Sequence, residues 1–312
     1  MLNSPYIIFI ISLSVLVYGS NLIIENSKAI AIRFNISKLV IGITIIAIGT
    51  SFPELIVGIL ASLKNQGDIA IANVIGSNIA NIALVLGLSA CIRPFIINLN
   101  TKVSFNLFIL FISTLLLILF SYYSNFSSIV GLLLLLLFIL YMYILFTSYK
   151  RETNVSVKEV NDSSILPSAI KLIFGFIFLA IGSEYFINST IEISKTFGFL
   201  NNIAISMSLV AFGTSVPELI TSIVALFKKE ENLALGNVVG SNIINILLVV
   251  SLSSLVNPIH IDFQLIKIHL ILLMFTTMLF LALIYTFNKI DRIMGCIFIS
   301  IYFIFIYINF SG

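Results

Sequence analysis

The stretch AIGTSFPELIVGILASLKNQGDIAIANVIGSNIAN, which runs from Ala47 to Asn81, occurs twice in this chain. The second copy, AFGTSVPELITSIVALFKKEENLALGNVVGSNIIN, runs from Ala211 to Asn245. The copies align without a gap at an offset of 164 residues, and 19 of their 35 positions are identical. Most shared positions hold polar or helix-breaking residues, which the composition of an apolar chain would not repeat by chance. The sequence therefore predicts an internal duplication that carries a functional site.

The composition of the chain indicates a membrane protein. Its 312 residues are 60% hydrophobic and only 9% charged, with a mean hydropathy of +1.17, whereas soluble domains average about 25% charged residues. The net charge of +3, without a basic patch, argues against nucleic acid as a partner. The two cysteines, Cys91 and Cys296, lie in or beside apolar runs, which predicts small buried side chains rather than a disulfide or a metal site.

The apolar segments predict the fold class. A helix needs roughly 20 mostly apolar residues to span a bilayer, and by that rule the chain is an all-α polytopic membrane protein with ten transmembrane helices. The predicted helices lie near 4–24, 39–63, 70–92, 104–123, 127–148, 167–188, 203–227, 233–256, 265–288 and 293–310. They define a first five-helix repeat over 1–148, a short polar linker over 149–166 and a second five-helix repeat over 167–312.

The number of helices in each repeat sets its orientation. Because five is odd, the second repeat must enter the membrane in the opposite sense, as in the inverted repeats of many secondary transporters. The side that holds the N-terminus contains only Lys64, Lys195 and Lys267 of the 16 basic residues. The other side is predicted to be cytoplasmic because it holds all the remaining lysines and arginines. Both termini are therefore expected outside the cell and the linker inside.

Glu54 and Glu218, at equivalent positions of the two copies, fall within apolar helices. A carboxylate at the bilayer centre costs about 2.5–3.5 kcal/mol on insertion scales, so a cation or a proton is expected to compensate each one. Pro53 and Pro217 directly precede these acids, and a proline clashes with the carbonyl four residues back. Each motif helix is therefore predicted to bend or break there, with freed carbonyls lining a cavity.

The spacing of polar residues adds further oxygen ligands. Side chains four residues apart lie on one face of a helix. Four such pairs occur: Thr50 with Glu54, Ser77 with Asn81, Thr214 with Glu218, and Ser241 with Asn245. All of these are hard oxygen donors, and the repeated motif contains no histidine or cysteine. That set suits Ca²⁺ and Na⁺, because Mg²⁺ releases its water reluctantly and zinc, copper and iron prefer softer ligands.

Some of the glycines and serines have structural interpretations as well. Small residues let membrane helices approach closely, which accounts for Gly42, Gly76 and Gly240. Ser51 and Ser215 are as suited to bonding a local helix carbonyl as to ligating a cation. The sequence alone leaves both roles open for these two serines.

Two other pairs of polar residues are not predicted as ligands. Asn78 and Asn242 are expected to form hydrogen bonds between helices, as polar side chains do in membrane bundles. Glu230 and Glu231 follow two lysines in the second copy, and this alternation of charge predicts a solvated loop.

The motifs GTSxPEL and GSNIxN, each present twice, resemble those of the Ca²⁺/cation antiporter superfamily, and of its prokaryotic sodium/calcium exchangers in particular. The resemblance covers nearly the whole chain, and the paired motif is highly specific. It implies ten helices and a central cluster of four cation sites. It also implies that no cofactor is required, since Ca²⁺ and Na⁺ are the transported ions.

The resemblance implies a ligand set residue by residue. The calcium site would use the carboxylates of Glu54 and Glu218 and the backbone carbonyls of Thr50 and Thr214. The flanking sodium sites would use Ala47, Thr50 and Ser77 on one side and Ala211, Thr214 and Ser241 on the other, with Asn81 and Asn245 completing the middle. Ser51 and Ser215, which belong to the same motif, are further candidate ligands.

One position departs from part of the family. Archaeal relatives and potassium-dependent exchangers carry an aspartate where this chain has Asn245. The centre therefore holds two formal negative charges, enough to neutralise one Ca²⁺ or two Na⁺, and potassium dependence is not expected. Proton-coupled relatives usually have a Gly-Asn pair before the acid, and its absence here favours sodium as the coupling ion.

The predicted function is secondary active antiport of Ca²⁺ against Na⁺ by alternating access, with net calcium extrusion across the cell membrane. A Ca²⁺/H⁺ antiporter that uses the same two glutamates is the alternative. A channel usually builds its ring of acids from several subunits, whereas here one chain supplies the site and is expected to function as a monomer. An intramembrane enzyme would need a nucleophile or a paired acid and base, and nothing in the sequence supplies a substrate groove.

Overall fold

The computed structural model describes residues 5–34, 36–148, 165–196 and 213–311. The predicted linker falls almost wholly outside the described residues, as do 203–212 of the seventh predicted helix and, with them, Ala211. In chain order the described helices are α1 (Pro5–Arg33), α2 (Lys38–Thr50), α3 (Phe52–Leu63), α4 (Gly67–Ile92), α5 (Thr101–Tyr122), α6 (Ser128–Ser148), α7 (Ile165–Thr196), α8 (Val216–Phe227), α9 (Glu231–Val256), α10 (Phe263–Phe287) and α11 (Arg292–Ser311).

Most of these helices are long and apolar enough to cross a bilayer. Eight of the described helices qualify singly by length and hydropathy, and α2 with α3 forms a ninth candidate span that is bent by 47°. The apolar helix α8 has 12 residues, and residues 197–212, which precede it, are not described. The predicted class, a polytopic helical membrane protein, is confirmed, whereas the count of ten helices stays a prediction.

Two helices extend well beyond their predicted apolar segments. α1 continues to Arg33 rather than ending near residue 24, and α7 continues to Thr196 rather than ending near residue 188. Hydropathy marks only the part of a helix that lies in hydrocarbon, and charged residues can continue the same helix beyond it. In α1 the extension carries Glu25 and Lys28, both of which pair with residues between α8 and α9.

The charged loop between α8 and α9 contains a buried acid, so the prediction of a solvated loop is wrong for Glu230. The side chain of Glu230 is only 6% exposed, and its two oxygens lie 2.9 Å from Lys28 Nζ and 2.6 Å from Lys38 Nζ. Lys228 also pairs with Glu25. Tertiary packing supplies these partners from α1 and α2, which the local sequence does not show. The ion pairs fasten the end of α1 and the start of α2 to this loop.

The predicted helix breaks before the two glutamates are present. α2 ends at Thr50 and α3 begins at Phe52, with Pro53 in its first turn. α8 begins directly after Ser215 and has Pro217 in its first turn. A proline has no N–H to donate, and the first turn of a helix is where that donor is not needed. Pro53 therefore starts a new half-helix rather than kinking a continuous one, and Pro217 lies in the first turn of α8 in the same way.

Two short antiparallel ribbons join the loops at the ends of the helices. They are β1 (Phe95–Ile96) with β4 (Lys289–Ile290), and β2 (Asn125–Phe126) with β3 (Ile259–His260). Residue 95 is opposite 290 and residue 126 is opposite 259, so the offset of 164 converts each ribbon into the other. The ribbons lie at opposite ends of α5, which begins after β1 and ends before β2.

Glycines bring α2 and α9 into backbone contact. A Cβ on Gly42 would lie 2.9 Å from a backbone oxygen of α9 and 3.1 Å from the Cα of Gly236. A Cβ on Gly240 would lie 2.6 Å from the Cα of Ile43. These glycines therefore allow close helix approach, as predicted for both, while Gly76 is buried within α4. The crossing fixes the distance between the two copies of the motif.

Gly240→Ala is expected to destabilise the protein by about 1–3 kcal/mol, because overpacking against a backbone forces the helices apart. The measurement is the thermal unfolding temperature of the purified protein in detergent. Gly182→Ala in α7 is the control, because its Cβ would lie 3.0 Å from the Leu16 side chain and 3.3 Å from the nearest backbone atom, against 2.6 Å from a backbone atom at Gly240. Equal losses of stability in the two variants would contradict the backbone crossing.

α1 and α7 pack along each other as a pair. A Cβ on Gly19 would lie 2.9 Å from Gly175 O, and one on Gly175 would lie 3.0 Å from Gly19 O, so the two backbones touch. Two polar contacts tie the pair to the second copy of the motif. Ser20 Oγ lies 3.3 Å from a threonine hydroxyl of α8, and Ser183 Oγ donates to Gly213 O at 3.1 Å.

Candidate cation-binding site

Two carboxylates are fully enclosed by the helices. Glu54 lies in the first turn of α3 and Glu218 in the first turn of α8, and neither is exposed. The ion pairs among the described residues involve neither glutamate. A buried carboxylate without a cationic partner is strongly unfavourable unless a cation or a proton neutralises it. The arrangement is therefore suited to holding positive charge.

A serine occupies each helix break. Ser51 has φ −82° and ψ 9°, and Ser215 has φ −87° and ψ 2°, so both copies adopt the same bridge-region backbone. Ser51 Oγ donates to Glu218 Oε1 at 3.1 Å, which places it in the site rather than on a local carbonyl. Ser215 Oγ is buried and has no hydrogen-bond partner among the described residues.

Hydroxyl groups of the two copies meet in reciprocal pairs. Thr50 Oγ1, at the end of α2, lies 3.4 Å from Ser241 Oγ of α9. Thr214 Oγ1, just before α8, lies 3.2 Å from Ser77 Oγ of α4. The offset of 164 residues converts one pair into the other. Each threonine hydroxyl therefore contacts the serine of the opposite copy, and Ser241 Oγ also donates to Glu218 Oε1 at 3.3 Å.

Asn81 and Asn245 stand where α4 and α9 change their winding. A π-helical segment begins at each of them, and such segments are frequent at functional sites. Asn245 Nδ2 donates to Asn78 Oδ1 at 3.0 Å, and Asn78 Nδ2 donates to Asn242 O at 3.2 Å. Asn78 thus bonds between helices, as predicted for it. The asparagine at 245 serves as a donor there, a role that an aspartate carboxylate could not fill.

The two carboxylates differ in their hydrogen bonds. Two serine hydroxyls donate to Glu218 Oε1. The hydroxyls of Ser77 and Thr214 face Glu54, yet within the described part of the chain neither Glu54 oxygen has a hydrogen bond of normal geometry. The same holds for the buried oxygens Glu218 Oε2, Asn81 Oδ1, Asn245 Oδ1 and Ser215 Oγ. Such a cluster of hard oxygen atoms fits Ca²⁺ or Na⁺ as cargo.

Asn237 is a residue of this site that the motif analysis missed. It lies one turn before Ser241 on α9, and Thr50 Oγ1 donates to its Oδ1 at 3.0 Å. Its Nδ2 donates to Ser222 Oγ at 3.0 Å and to Glu218 O at 3.3 Å. One carboxamide therefore joins the end of α2, the first turn of α8 and the middle of α9 around the carboxylate.

The equivalent residue of the first copy, Asn73, lacks these hydrogen bonds. Both of its carboxamide atoms are buried without a hydrogen-bond partner among the described residues. Ser222, which accepts from Asn237, corresponds to Gly58 in the first copy, so one acceptor is missing there. The asparagine shared by both copies, four residues before Ser77 in the first, was the signal that could have identified this position.

The remaining predicted ligands are the two alanines. Ala47 is fully buried where α2 crosses α9, and its carbonyl accepts the N–H of Ser51 at 3.0 Å. Ala211 lies outside the described residues. The described candidate ligands thus come from α2, α3, α4, α8 and α9 and from the short breaks that precede α3 and α8. All of them are buried.

A duplicated cluster of buried oxygen atoms inside a bundle of apolar helices is typical of proteins that transport hard cations. The family model described as sodium/calcium exchanger protein matches residues 4–147 and 167–311. The chain belongs to the sodium/calcium exchanger family and is a cation antiporter rather than an enzyme. The resemblance read from the two motifs is thereby confirmed.

Several proteins are similar to this chain over most of its length. An uncharacterized membrane protein of Methanocaldococcus jannaschii is 36% identical over 303 residues, which cover 95% of each chain. Sodium/calcium exchanger MaX1 of Methanosarcina acetivorans is 34% identical over 300 residues, which cover 84% of this chain and 85% of that one. A solved structure of the sodium-calcium exchanger NCX_Mj, soaked with 10 mM Na⁺ and 10 mM Sr²⁺, matches with a TM-score of 0.84 and 34% identity. That match covers 97% of this chain and 98% of the other, so the fold is shared over nearly the whole length.

Proposed function

We propose that this protein exchanges Ca²⁺ for Na⁺ across the membrane at a site between Glu54 and Glu218. The observation that carries the proposal is the enclosure of two repeat-related carboxylates among buried oxygens that lack hydrogen bonds. Two carboxylates balance either one Ca²⁺ or two Na⁺, so the two cargoes compete for the same negative charge. The names of the relatives MaX1 and NCX_Mj, both sodium/calcium exchangers, support the same pair of ions.

The proposed ligands are the two carboxylates and repeat-related residues of both copies. Ca²⁺ would bind the carboxylates of Glu54 and Glu218 together with the backbone carbonyls of Thr50 and Thr214. The flanking ligands would be Ala47, Ser51, Ser77 and Asn81 of the first copy and Ala211, Ser215, Ser241 and Asn245 of the second. The threonine–serine contacts between opposite copies support sodium sites that mix the two copies, rather than sites built within one copy.

The proposed architecture is ten transmembrane helices in two inverted repeats, over 1–148 and 167–312, joined by the linker 149–166. Two ribbons that the repeat offset interconverts, one at each end of α5, support the inversion. The site is built within one chain, which supports function as a monomer. The distribution of lysine and arginine supports both termini outside and a cytoplasmic linker. The proposed location is the plasma membrane.

Alternating access is the proposed mechanism, with α1 and α7 moving together past the motif helices. The close backbone contact between Gly19 and Gly175 supports motion of these two helices as one body. The break at Ser51 supports a fixed site, because its Oγ ties the first copy to Glu218 of the second. With sodium more concentrated outside, the exchange would extrude calcium.

Calcium/proton antiport by the same glutamates is the second candidate, because a proton also neutralises a buried carboxylate. The test is radioactive calcium uptake into proteoliposomes that contain sodium, compared with proteoliposomes that carry a pH gradient and no sodium. We expect uptake with the outward sodium gradient and only background uptake with the pH gradient. Uptake that follows the pH gradient alone would replace sodium with protons as the coupling ion.

A further inference from the structure

The two cysteines of the chain meet at a helix crossing, and the expectation that both are buried is wrong. Cys91 near the end of α4 and Cys296 in α11 have Sγ atoms 3.7 Å apart. Cys91 is half-buried and Cys296 is exposed. The separation is that of two thiols in contact, since a disulfide bond measures about 2.05 Å. The chain contains only two cysteines, so each is the other's sole intramolecular thiol partner.

Backbone contact between the two helices holds the thiols together. A Cβ on Gly87 would lie 3.1 Å from Gly295 O, and one on Gly295 would lie 2.7 Å from Gly87 O. A Cβ on Gly295 would also lie 3.0 Å from the backbone N of Cys91. Helices that touch within about one turn of both sulfurs leave them little room to separate.

The duplication supplies an internal comparison for this crossing. The offset of 164 residues converts it into the crossing of α6 with α9, where Gly131 is the equivalent glycine and packs against Leu255. The positions of Cys91 and Cys296 hold Leu255 and Leu132 there. Ser251 stands there in place of Gly87, yet its backbone O would still lie 2.9 Å from a Cβ on Gly131. Close contact at this crossing therefore does not require thiols.

We propose that Cys91 and Cys296 form a reversible disulfide when the protein meets a two-electron thiol oxidant such as a peroxide. Two S–H bonds break and one S–S bond forms, while two electrons and two protons pass to the oxidant. One hydrogen peroxide thereby becomes two water molecules, and a dithiol reductant reverses the reaction. The bond joins α4 to α11, and neither belongs to the α1–α7 pair.

The test counts free thiols before and after oxidation. The purified protein is treated with diamide, which is reduced to its hydrazine as the disulfide forms, and is then denatured. A maleimide-linked polyethylene glycol adds one gel shift for each free thiol. We expect two labels on the reduced protein, none on the oxidised monomer, and both again after dithiothreitol. Two labels retained, or thiols lost only into covalent dimers, would overturn the proposal.

Two sets of variants separate pairing from independent oxidation. Cys91→Ser and Cys296→Ser are each expected to keep their one label in the monomer after diamide, and loss of that label would count against the pair. Leu132→Cys with Leu255→Cys, in a chain that also carries Cys91→Leu and Cys296→Leu, moves the thiols to the equivalent crossing. This variant is expected to lose both labels in the monomer as the natural chain does, and retention would contradict the geometric argument.

Discussion

Replacing Glu54 or Glu218 by glutamine is expected to lower sodium-driven calcium uptake by on the order of 100-fold, because ligand charge tunes calcium affinity over several orders of magnitude. Glutamine keeps the length of the side chain and one oxygen, but removes half of the negative charge that matches Ca²⁺. The measurement is the initial rate of radioactive calcium uptake into sodium-loaded proteoliposomes. The double variant is expected to show no more uptake than vesicles without protein.

A stability measurement distinguishes loss of the site from loss of the fold. With a chelator and without sodium, Glu54→Gln is expected to unfold at the same or a higher temperature, because it removes an uncompensated buried charge. Glu231→Gln, the same chemical change at the start of α9, is the transport control. If Glu54→Gln took up calcium as fast as Glu231→Gln, the glutamates would not be the calcium ligands.

Asn237→Ala is expected to have the second large effect. The carboxamide of Asn237 makes three buried hydrogen bonds, with Thr50 Oγ1, Ser222 Oγ and Glu218 O. At about 1 kcal/mol each, their loss should lower the free energy of unfolding by about 3 kcal/mol. Since two of these partners belong to the proposed ligands, the calcium concentration for half-maximal uptake should also rise. Thermal unfolding and uptake measured on the same preparation check both expectations.

The first copy provides a matched control for this variant. Asn73→Ala makes the same change at the equivalent position, where the carboxamide atoms have no hydrogen-bond partner among the described residues. Its stability should therefore fall much less than that of Asn237→Ala. A loss as large as that of Asn237→Ala would show that the two copies are bonded alike, contrary to the structure.

The parts of the fold that the sequence predicts are those with a strong local signal. Long apolar runs identify membrane helices because hydrocarbon tolerates few charges. The breaks before Glu54 and Glu218 follow from the prolines, since a proline restricts the backbone wherever it occurs. The close helix approach at Gly42 follows from the absence of a side chain. Each of these inferences depends on a residue and its immediate neighbours.

Features that depend on distant partners were not predictable in this way. The burial of Glu230 depends on Lys28 and Lys38, which lie about 200 residues away in the sequence. The contact between Cys91 and Cys296 depends on a crossing of α4 with α11. Charge and spacing along one segment cannot show which other segment will supply a counter-ion or a second thiol.

The site shows the same limit on a finer scale. The duplication identifies the candidate ligands, but it implies two equivalent carboxylates, whereas in the structure Glu218 accepts two hydrogen bonds and Glu54 has none of normal geometry. The two copies also differ at Asn237, which donates to Ser222 where the first copy has Gly58. The π-helical segments that begin at Asn81 and Asn245 were also not predicted from the sequence.

In the proposed mechanism calcium and sodium bind alternately at one site. The most direct test measures the fluxes of both ions in the same sample. Proteoliposomes loaded with radioactive sodium are placed in medium that contains radioactive calcium of a distinguishable emission, and the two fluxes are recorded in the same sample. We expect calcium entry and sodium exit in a fixed ratio, with both fluxes lost in Glu218→Gln and no sodium exit without external calcium or sodium. Calcium entry that continues without sodium exit, or a ratio that drifts with the gradients, would contradict exchange at this site.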